Sequence, residues 1–213
     1  MTNTKDKPLL LLDINGVLCI KITKLEYNKI IKDNTDAFSE MKVIKLLSYY
    51  VVVRPGCYEF LDFVYTNFDV GYFSSTTQKN ARGILNSVIS QEQEDETKVF
   101  WFRDRTHFDP DSGSIQGVNY ITNTSATVFD TIKLLSDIYD NPILNHRRQY
   151  NGGNTILCDD SERKTRFNNS NNVIIFPKFD GNKDDVVLFE MMDIISERFE
   201  MLKETSKVDY SIN

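Results

Sequence analysis

The sequence is poor in cysteine and histidine and has no long hydrophobic segment. It contains three cysteines and two histidines in 213 residues. An odd, sparse cysteine count argues against a disulfide framework, and without paired cysteines the sequence does not favour a zinc site. No apolar run approaches the ~20 residues of a membrane span, and the polar first eight residues lack the apolar core of a signal peptide. These absences predict an intracellular protein, cytoplasmic or nuclear, with no membrane span.

Positive charge is also in short supply. The chain has 25 Lys and Arg against 31 Asp and Glu, for a formal net charge of −6. Non-specific binding to nucleic acid or to anionic membranes needs a basic surface, so we predict no direct nucleic-acid partner. The composition, 40% hydrophobic and 26% charged, is that of a globular protein with a sizeable core. This balance does not exclude a local basic pocket, which an acidic chain would need in order to bind phosphate.

Short apolar segments alternate with helical patterns along the chain. The predicted strands are residues 9–12, 49–53, 70–73, 99–102, 155–158 and 173–176, and the predicted helices are residues 57–68, 80–90, 129–139 and 184–203. Residues 23–48 are expected to form an irregular excursion with helical pieces, residues 91–98 a solvated turn, and residues about 104–127 a small β insertion. The alternation predicts an α/β fold in one domain, a mostly parallel sheet with helices on both faces.

Polar residues follow three of the predicted strands, and in such sheets ligands bind beyond the carboxyl ends of the strands. Asp13 follows the first strand, Ser74 another, and Asp159 and Asp160 a third. A carboxylate such as Asp13 can attack phosphorus, and the Asp159–Asp160 pair offers hard oxygen ligands for Mg²⁺. Ser74 offers a hydroxyl and Lys133, from its predicted helix, an ammonium for the phosphoryl oxygens.

Each of these features has a simpler interpretation when it is taken alone. An Asp-x-Asn-Gly sequence after a strand is commonly just a tight turn. Two adjacent aspartates commonly cap a helix, and a single serine or lysine is usually solvated. Only their order, spacing and position after strands together favour a catalytic site.

The same segments carry a resemblance to a known family. LLLLDINGVL at residues 9–18 resembles motif I of the haloacid dehalogenase (HAD) phosphatases, and NTILCDDSERK at residues 154–164 resembles motif IV. The Arg-Pro-Gly at residues 54–56 with Glu-Phe-Leu at residues 59–61 is similar to the CTD-phosphatase, or NLI-interacting-factor, branch of that family. YFSSTTQKNA at residues 72–81 and IKLL at residues 132–135 are similar to its motifs II and III.

This resemblance implies a Rossmann-like HAD core, a Mg²⁺ cofactor and an aspartyl-phosphate intermediate. The family includes phosphatases of phosphoserine in proteins, notably in the RNA polymerase II tail, so a phosphorylated protein or peptide is the implied substrate. By position, Asp13 would be the nucleophile and a metal ligand, with Asn15 holding the metal through its backbone carbonyl. Asp160 would be the carboxylate nearest the metal, with Asp159 beside it. Phosphate binding would fall to the set Ser74, Ser75 and Lys133. We expect a monomer.

One position departs from the family pattern. The family places a general acid, a second aspartate, two residues after the nucleophile, and this chain has Asn15 there. An amide cannot donate a proton to the leaving oxygen or take one from water. The leading hypothesis is a working phosphatase that prefers phosphotyrosine and other aryl phosphates. The alternatives are a pseudophosphatase that binds phosphopeptides or acts as a scaffold, and a small-molecule phosphatase. A mitochondrial translocase subunit shows that this fold can serve as a receptor.

Overall fold

The computed structural model describes residues 7–103, 107–108 and 131–209. The strands are β1 (Leu9–Leu12), β2 (Cys19–Thr23), β3 (Val43–Lys45), β4 (Tyr49–Val53), β5 (Asp69–Phe73), β6 (Val99–Trp101), β7 (His107–Phe108), β8 (Thr131–Ile132), β9 (Thr155–Asp159) and β10 (Val173–Ile175). The helices are α1 (Lys24–Asp33), α2 (Cys57–Asn67), α3 (Gln78–Val88), α4 (Gln91–Glu96), α5 (Ser136–Tyr139), α6 (Glu162–Thr165) and α7 (Val187–Asp209).

The central sheet has five parallel strands in the order β10-β9-β1-β5-β6. The apolar run of β1 explains its central place, because a strand covered on both faces must be hydrophobic on both. Its side chains alternate between two cores. Leu10 and Leu12 pack in the core lined by α2, α3 and α7, while Leu9 and Leu11 pack in the core that contains residues of α5. The predicted α/β fold, with a mostly parallel sheet flanked by helices, is confirmed.

A second, antiparallel sheet lies beside the first, in the order β2-β4-β3. The predicted bounds of β4 match the structure, and β4 belongs to this antiparallel sheet and not to the parallel one. β2 begins six residues after Asp13 and pairs along its whole length with β4. A β-branched segment indicates a strand without indicating its partner. Residues 23–48, predicted to be an irregular excursion with helical pieces, contain one helix, α1, which begins at a capping box between Thr23 and Glu26.

Two other sequence predictions were wrong in their local structure. The solvated turn at residues 91–98 is mostly α4, whose start is fixed by reciprocal hydrogen bonds: the Gln93 N–H donates to Ser90 Oγ and the Ser90 N–H to Gln93 Oε1. The helix at residues 129–139 is replaced over its described part by β8, an irregular segment and the short α5. β8 pairs with β7, and the rest of the predicted insertion lies outside the described residues. No helix in the described ranges is long and apolar enough to cross a membrane.

Candidate active site

The carboxyl ends of three adjacent strands bring the predicted catalytic residues together. The register of the sheet pairs Leu12 of β1 with Tyr72 of β5 on one side and with Cys158 of β9 on the other. The chain therefore leaves all three strands at one edge. The carboxylates of Asp13, Asp159 and Asp160 have oxygen atoms within 4.8 Å of one another there.

Asp13 is buried at this edge, with 2% of its surface exposed. Its backbone N–H donates to the carbonyl of Cys158 at 2.9 Å, which ties the start of the loop to β9. Burial alone would raise the pKa of the Asp13 carboxyl. The ammonium groups of Lys133 and Lys164, with hydrogen bonds from Ser74 and from the Ile14 backbone, outweigh burial and leave the pKa below its ordinary value. Asp13 is therefore ionised at neutral pH, as a nucleophile must be.

Lys133 is fully buried between two of the carboxylates. Its Nζ lies 3.2 Å from Asp13 Oδ1 and forms a short hydrogen-bonded ion pair with Asp159. Lys133 lies between β8 and α5, and not on the helix that the sequence predicted. Asn168 fixes this segment instead, since its side chain donates to the Lys133 carbonyl at 2.7 Å and accepts from the Leu135 N–H at 2.8 Å.

Asp159 differs from Asp13 in its electrostatic environment. Burial, together with the nearby charge of Asp13, raises the pKa of Asp159 to about 6 in spite of the attraction of Lys133. Its other oxygen, Oδ1, accepts a hydrogen bond from the Ser161 N–H at 2.9 Å. Both oxygens of Asp159 are thus occupied by groups of the protein itself.

Asp160 packs directly against the glycine of the Asp-Ile-Asn-Gly turn. Gly16 has a φ of +95°, and a Cβ added to it would lie 2.2 Å from Asp160 Oδ2. The sequence predicted a turn here, and the structure adds the close approach of Asp160 as a second reason for glycine. Lys164 Nζ lies 3.9 Å from Asp160 Oδ1.

The carboxylate cluster fits a hard divalent cation. Asp13 Oδ1 and Asp160 Oδ1 are buried, and neither receives a hydrogen bond from the residues that the structure describes. Buried oxygens without such partners are costly unless a cation binds them. Carboxylate oxygens without histidine or cysteine are the ligands that Mg²⁺ prefers.

The remaining predicted residues lie in the loops after β1 and β5. The Ser74 side chain is buried and helps to lower the pKa of the Asp13 carboxyl, and the Ser74 backbone N–H donates to the Trp101 carbonyl at 2.9 Å. The Ser75 hydroxyl hydrogen-bonds to that of Thr131 and so connects this loop to β8. The Asn15 side-chain carbonyl accepts the backbone N–H of Lys21 at 2.9 Å, which fixes the amide against β2. The catalytic, phosphate-binding and metal-binding roles assigned to all of these residues stay predictions.

Sequence reasoning missed three residues that build the site. Lys164 belongs to the segment similar to motif IV, but the sequence assigned it no role. Asn168 lies outside every motif that the sequence revealed. Arg54 stood in the Arg-Pro-Gly segment, and the structure shows it fully buried in a two-bond ion pair with Asp185, at 2.8 and 2.9 Å. Arg54 also donates to the Val17 carbonyl at 3.2 Å, which braces the loop that follows Asp13.

Comparisons with known proteins agree with this geometry. The sequence profile of a family described as NLI interacting factor-like phosphatase matches residues 8–208. An uncharacterized FCP1 homology domain-containing protein of Schizosaccharomyces pombe is 23% identical over 177 residues, which cover 81% of this chain and 62% of that protein.

Two solved structures share the fold. One is the fission yeast RNA polymerase II CTD phosphatase Fcp1 bound to beryllium fluoride, and the other is a structure of Fcp1 described as an essential RNA polymerase II CTD phosphatase. Each aligns with a TM-score of 0.55 at 14% identity over 93% of this chain. The chain spans 52% and 50% of those two structures, so the likeness concerns the shared fold.

Proposed function

Because the chain belongs to the NLI interacting factor-like phosphatase family, the CTD-phosphatase branch of the HAD phosphatases, we propose that it is a Mg²⁺-dependent phosphatase of phosphorylated proteins or peptides. The observation that carries the proposal is a buried Asp13 that its neighbours keep ionised beside Lys133 and two further carboxylates. We propose that residues 1–213 act as one domain, with an insertion at about residues 104–127, and as a monomer. Gel filtration with light scattering tests the oligomeric state.

In the first half-reaction, one oxygen of Asp13 attacks phosphorus. The bond between phosphorus and the ester oxygen breaks, and the leaving oxygen keeps the electron pair and takes a proton from water. Lys133 and Ser74 hold the phosphoryl oxygens, since both already contact Asp13. In the second half-reaction, water attacks phosphorus and the bond to Asp13 breaks. Inorganic phosphate leaves, the water proton passes to solvent, and the carboxylate is restored.

Asp13 and Asp160 are the residues that would hold Mg²⁺ most directly, because each has a buried oxygen that accepts no hydrogen bond from the described residues. The Asn15 backbone carbonyl and Asp159 complete the proposed set. A metal bound there would supply positive charge that neutralises the phosphoryl oxygens. Asp159, engaged by Lys133 and by the Ser161 N–H, would mainly keep the Lys133 ammonium directed at Asp13.

Asn15 determines which substrates should react fastest. General acid catalysis is typically worth ~10²–10⁴-fold, and its absence slows most the release of a poor leaving group. A serine or threonine alkoxide leaves less readily than a tyrosine phenolate, whose phenol has a pKa of about 10. We therefore propose a preference for phosphotyrosine and other aryl phosphates over phosphoserine and phosphothreonine.

The experiment that tests this function is hydrolysis of p-nitrophenyl phosphate with Mg²⁺ or with EDTA, by the wild type and by Asp13→Asn. We expect turnover only by the wild type with Mg²⁺, while thermal unfolding shows both proteins folded. Asn15 favours a second candidate, a pseudophosphatase that binds phosphopeptides. Phosphopeptide binding without turnover on any substrate would select that candidate, and full activity of Asp13→Asn would refute the nucleophile.

A further inference from the structure

We propose that Lys164 is a second phosphate-binding cation, which contacts the phosphoryl group from the open side of the site while Lys133 contacts it from the buried side. The inference rests on the proposed function, because it assigns a residue to the same reaction. Lys164 lies on α6, four residues after Asp160.

The position of Lys164 is fixed by the backbone that also fixes Lys133. The Lys133 N–H donates to the Lys164 carbonyl at 2.9 Å, so the two lysines enter the site from adjacent segments. Asn168 joins these segments a second time, because its side chain donates to the carbonyls of Lys133 and Thr165 at 2.7 and 2.9 Å. The backbone segments that carry the two lysines are therefore held next to each other.

The two ammonium groups differ in access to solvent. The Lys133 side chain is 0% exposed, whereas that of Lys164 is 21% exposed and that of Asp160, its carboxylate neighbour, is 7% exposed. Lys133 thus lies at the floor of the site and Lys164 at its opening. A phosphoryl group that approaches Asp13 from solvent would pass within reach of Lys164 first.

The contact of Lys164 with Asp160 is one that a phosphate could replace. At 3.9 Å the two atoms are too far apart for a hydrogen bond, and a partly exposed ion pair contributes little to stability. Binding of Mg²⁺ by Asp160, as proposed above, would neutralise the carboxylate that now faces Lys164. A phosphoryl group bound at Asp13 would then offer Lys164 a new negatively charged partner.

The formal charge of the site favours such a cation. Among the residues that the structure describes, three carboxylates and two lysines form the cluster, so its formal charge is negative by one before a metal binds. With Mg²⁺ it becomes positive by one charge and can accept a phosphate dianion. Without Lys164 the same site would be neutral, and binding of the dianion would lose a charge-assisted partner.

Calorimetric titration with beryllium fluoride in the presence of Mg²⁺ tests the inference, since this anion mimics the phosphoryl group on an aspartate. We expect Lys164→Gln to weaken its binding by about 10- to 100-fold, the range for hydrogen bonds to charged groups, and Lys164→Arg to restore most of it. Titration with Mg²⁺ alone should show no such weakening for Lys164→Gln. Loss of the cation near Asp160 should leave Mg²⁺ binding unchanged or tighten it by up to about five-fold.

Lys98→Gln is the matched control. Lys98 is exposed and directly precedes β6, so it lies at the amino ends of the parallel strands, away from the site at their carboxyl ends. Its loss should therefore change neither titration. Equal binding of beryllium fluoride by the wild type and Lys164→Gln would overturn the role of Lys164 while the proposed function stands. Parallel weakening of the anion and of Mg²⁺, with a lowered unfolding temperature, would make Lys164 structural and also overturn it. A wild type that binds no beryllium fluoride would overturn the proposed function and this inference with it.

Discussion

Replacement of Gly16 by alanine tests the link between the turn after β1 and the proposed metal site. The new Cβ would lie 2.2 Å from Asp160 Oδ2, and ordinary van der Waals contact begins at 3.4 Å, so the Asp160 carboxylate must move by about 1.2 Å. A misplacement of about 1 Å in a catalytic site can cost ~10²-fold in rate. The φ of +95° adds backbone strain of about 1–3 kcal/mol for any residue with a Cβ.

Gly181→Ala separates these two effects. Gly181 has nearly the same φ, +98°, but its added Cβ would meet only the Phe38 ring, at 3.4 Å. We expect both variants to lose about 1–3 kcal/mol in the free energy of unfolding from backbone strain, and Gly16→Ala to lose more than Gly181→Ala because of its contact with Asp160. Only Gly16→Ala should also lose Mg²⁺ affinity in calorimetry and about 10²-fold in turnover of p-nitrophenyl phosphate.

A double-mutant cycle gives the sharper measurement. In an Asp160→Ala background the two closest atoms, Oδ2 and Cγ, are absent. Gly16→Ala should then cost less stability than it does in the wild type, by an interaction energy of about 0.5–3 kcal/mol. Additive losses in stability, or a Gly16→Ala protein that binds Mg²⁺ and turns over as well as Gly181→Ala, would refute the reasoning.

Four further expectations concern the carboxylates and Asn15. Asp13→Asn should abolish turnover with an unchanged unfolding temperature, because an amide is no nucleophile; retained activity in a p-nitrophenyl phosphate assay would contradict this. EDTA or Asp160→Ala should remove activity, and excess Mg²⁺ should restore it only to the EDTA-treated wild type. In Mg²⁺-free buffer, the pKa of about 6 for folded Asp159 exceeds the unfolded value, so its contribution to stability is present below about pH 4 and is lost as pH rises through about 6. Urea unfolding of the wild type relative to Asp159→Asn should show that decline, on the order of 3 kcal/mol, and a difference independent of pH would exclude it. Asn15→Asp should raise kcat/KM on phosphoserine peptides by up to ~10²–10⁴-fold and on phosphotyrosine peptides far less; an equal gain on both would show that proton donation does not set the preference.

The predictable parts of this fold are those that depend on one strand at a time. The leucine run of β1 predicts a buried central strand, and Asp13, Ser74 and Asp159 converge because the carboxyl ends of parallel strands share an edge. The partner of β4 could not be predicted in this way, since β-branched residues suit either kind of sheet. The helix α4 could have been predicted from the sequence, because Ser90 followed by Gln93 is the pattern of a capping box.

The position of Lys133 shows the limit of reading a site from local patterns. The residue was assigned to the right site from the wrong element, because the surroundings of its ammonium are set by distant residues. Asn168 holds its backbone from a separate loop, and Asp13 and Asp159 hold its side chain from two strands. No periodicity in residues 129–139 could reveal these contacts.

The electrostatics of the site follow from the same arrangement. Lys133 pairs with both Asp13 and Asp159, yet the pKa of Asp13 falls while that of Asp159 rises. Burial raises the pKa of both carboxyls. For Asp13, the nearby ammonium groups and the hydrogen bonds from Ser74 and the Ile14 backbone outweigh burial. For Asp159, the charge of Asp13 adds to the effect of burial, and the attraction of Lys133 does not compensate. Two carboxylates around one ammonium thus acquire different chemistry, a nucleophile that stays ionised and a residue that holds the cation. Removal of Lys133 would leave both carboxylates buried without their shared counter-ion, so the same ammonium supports the fold and the proposed reaction.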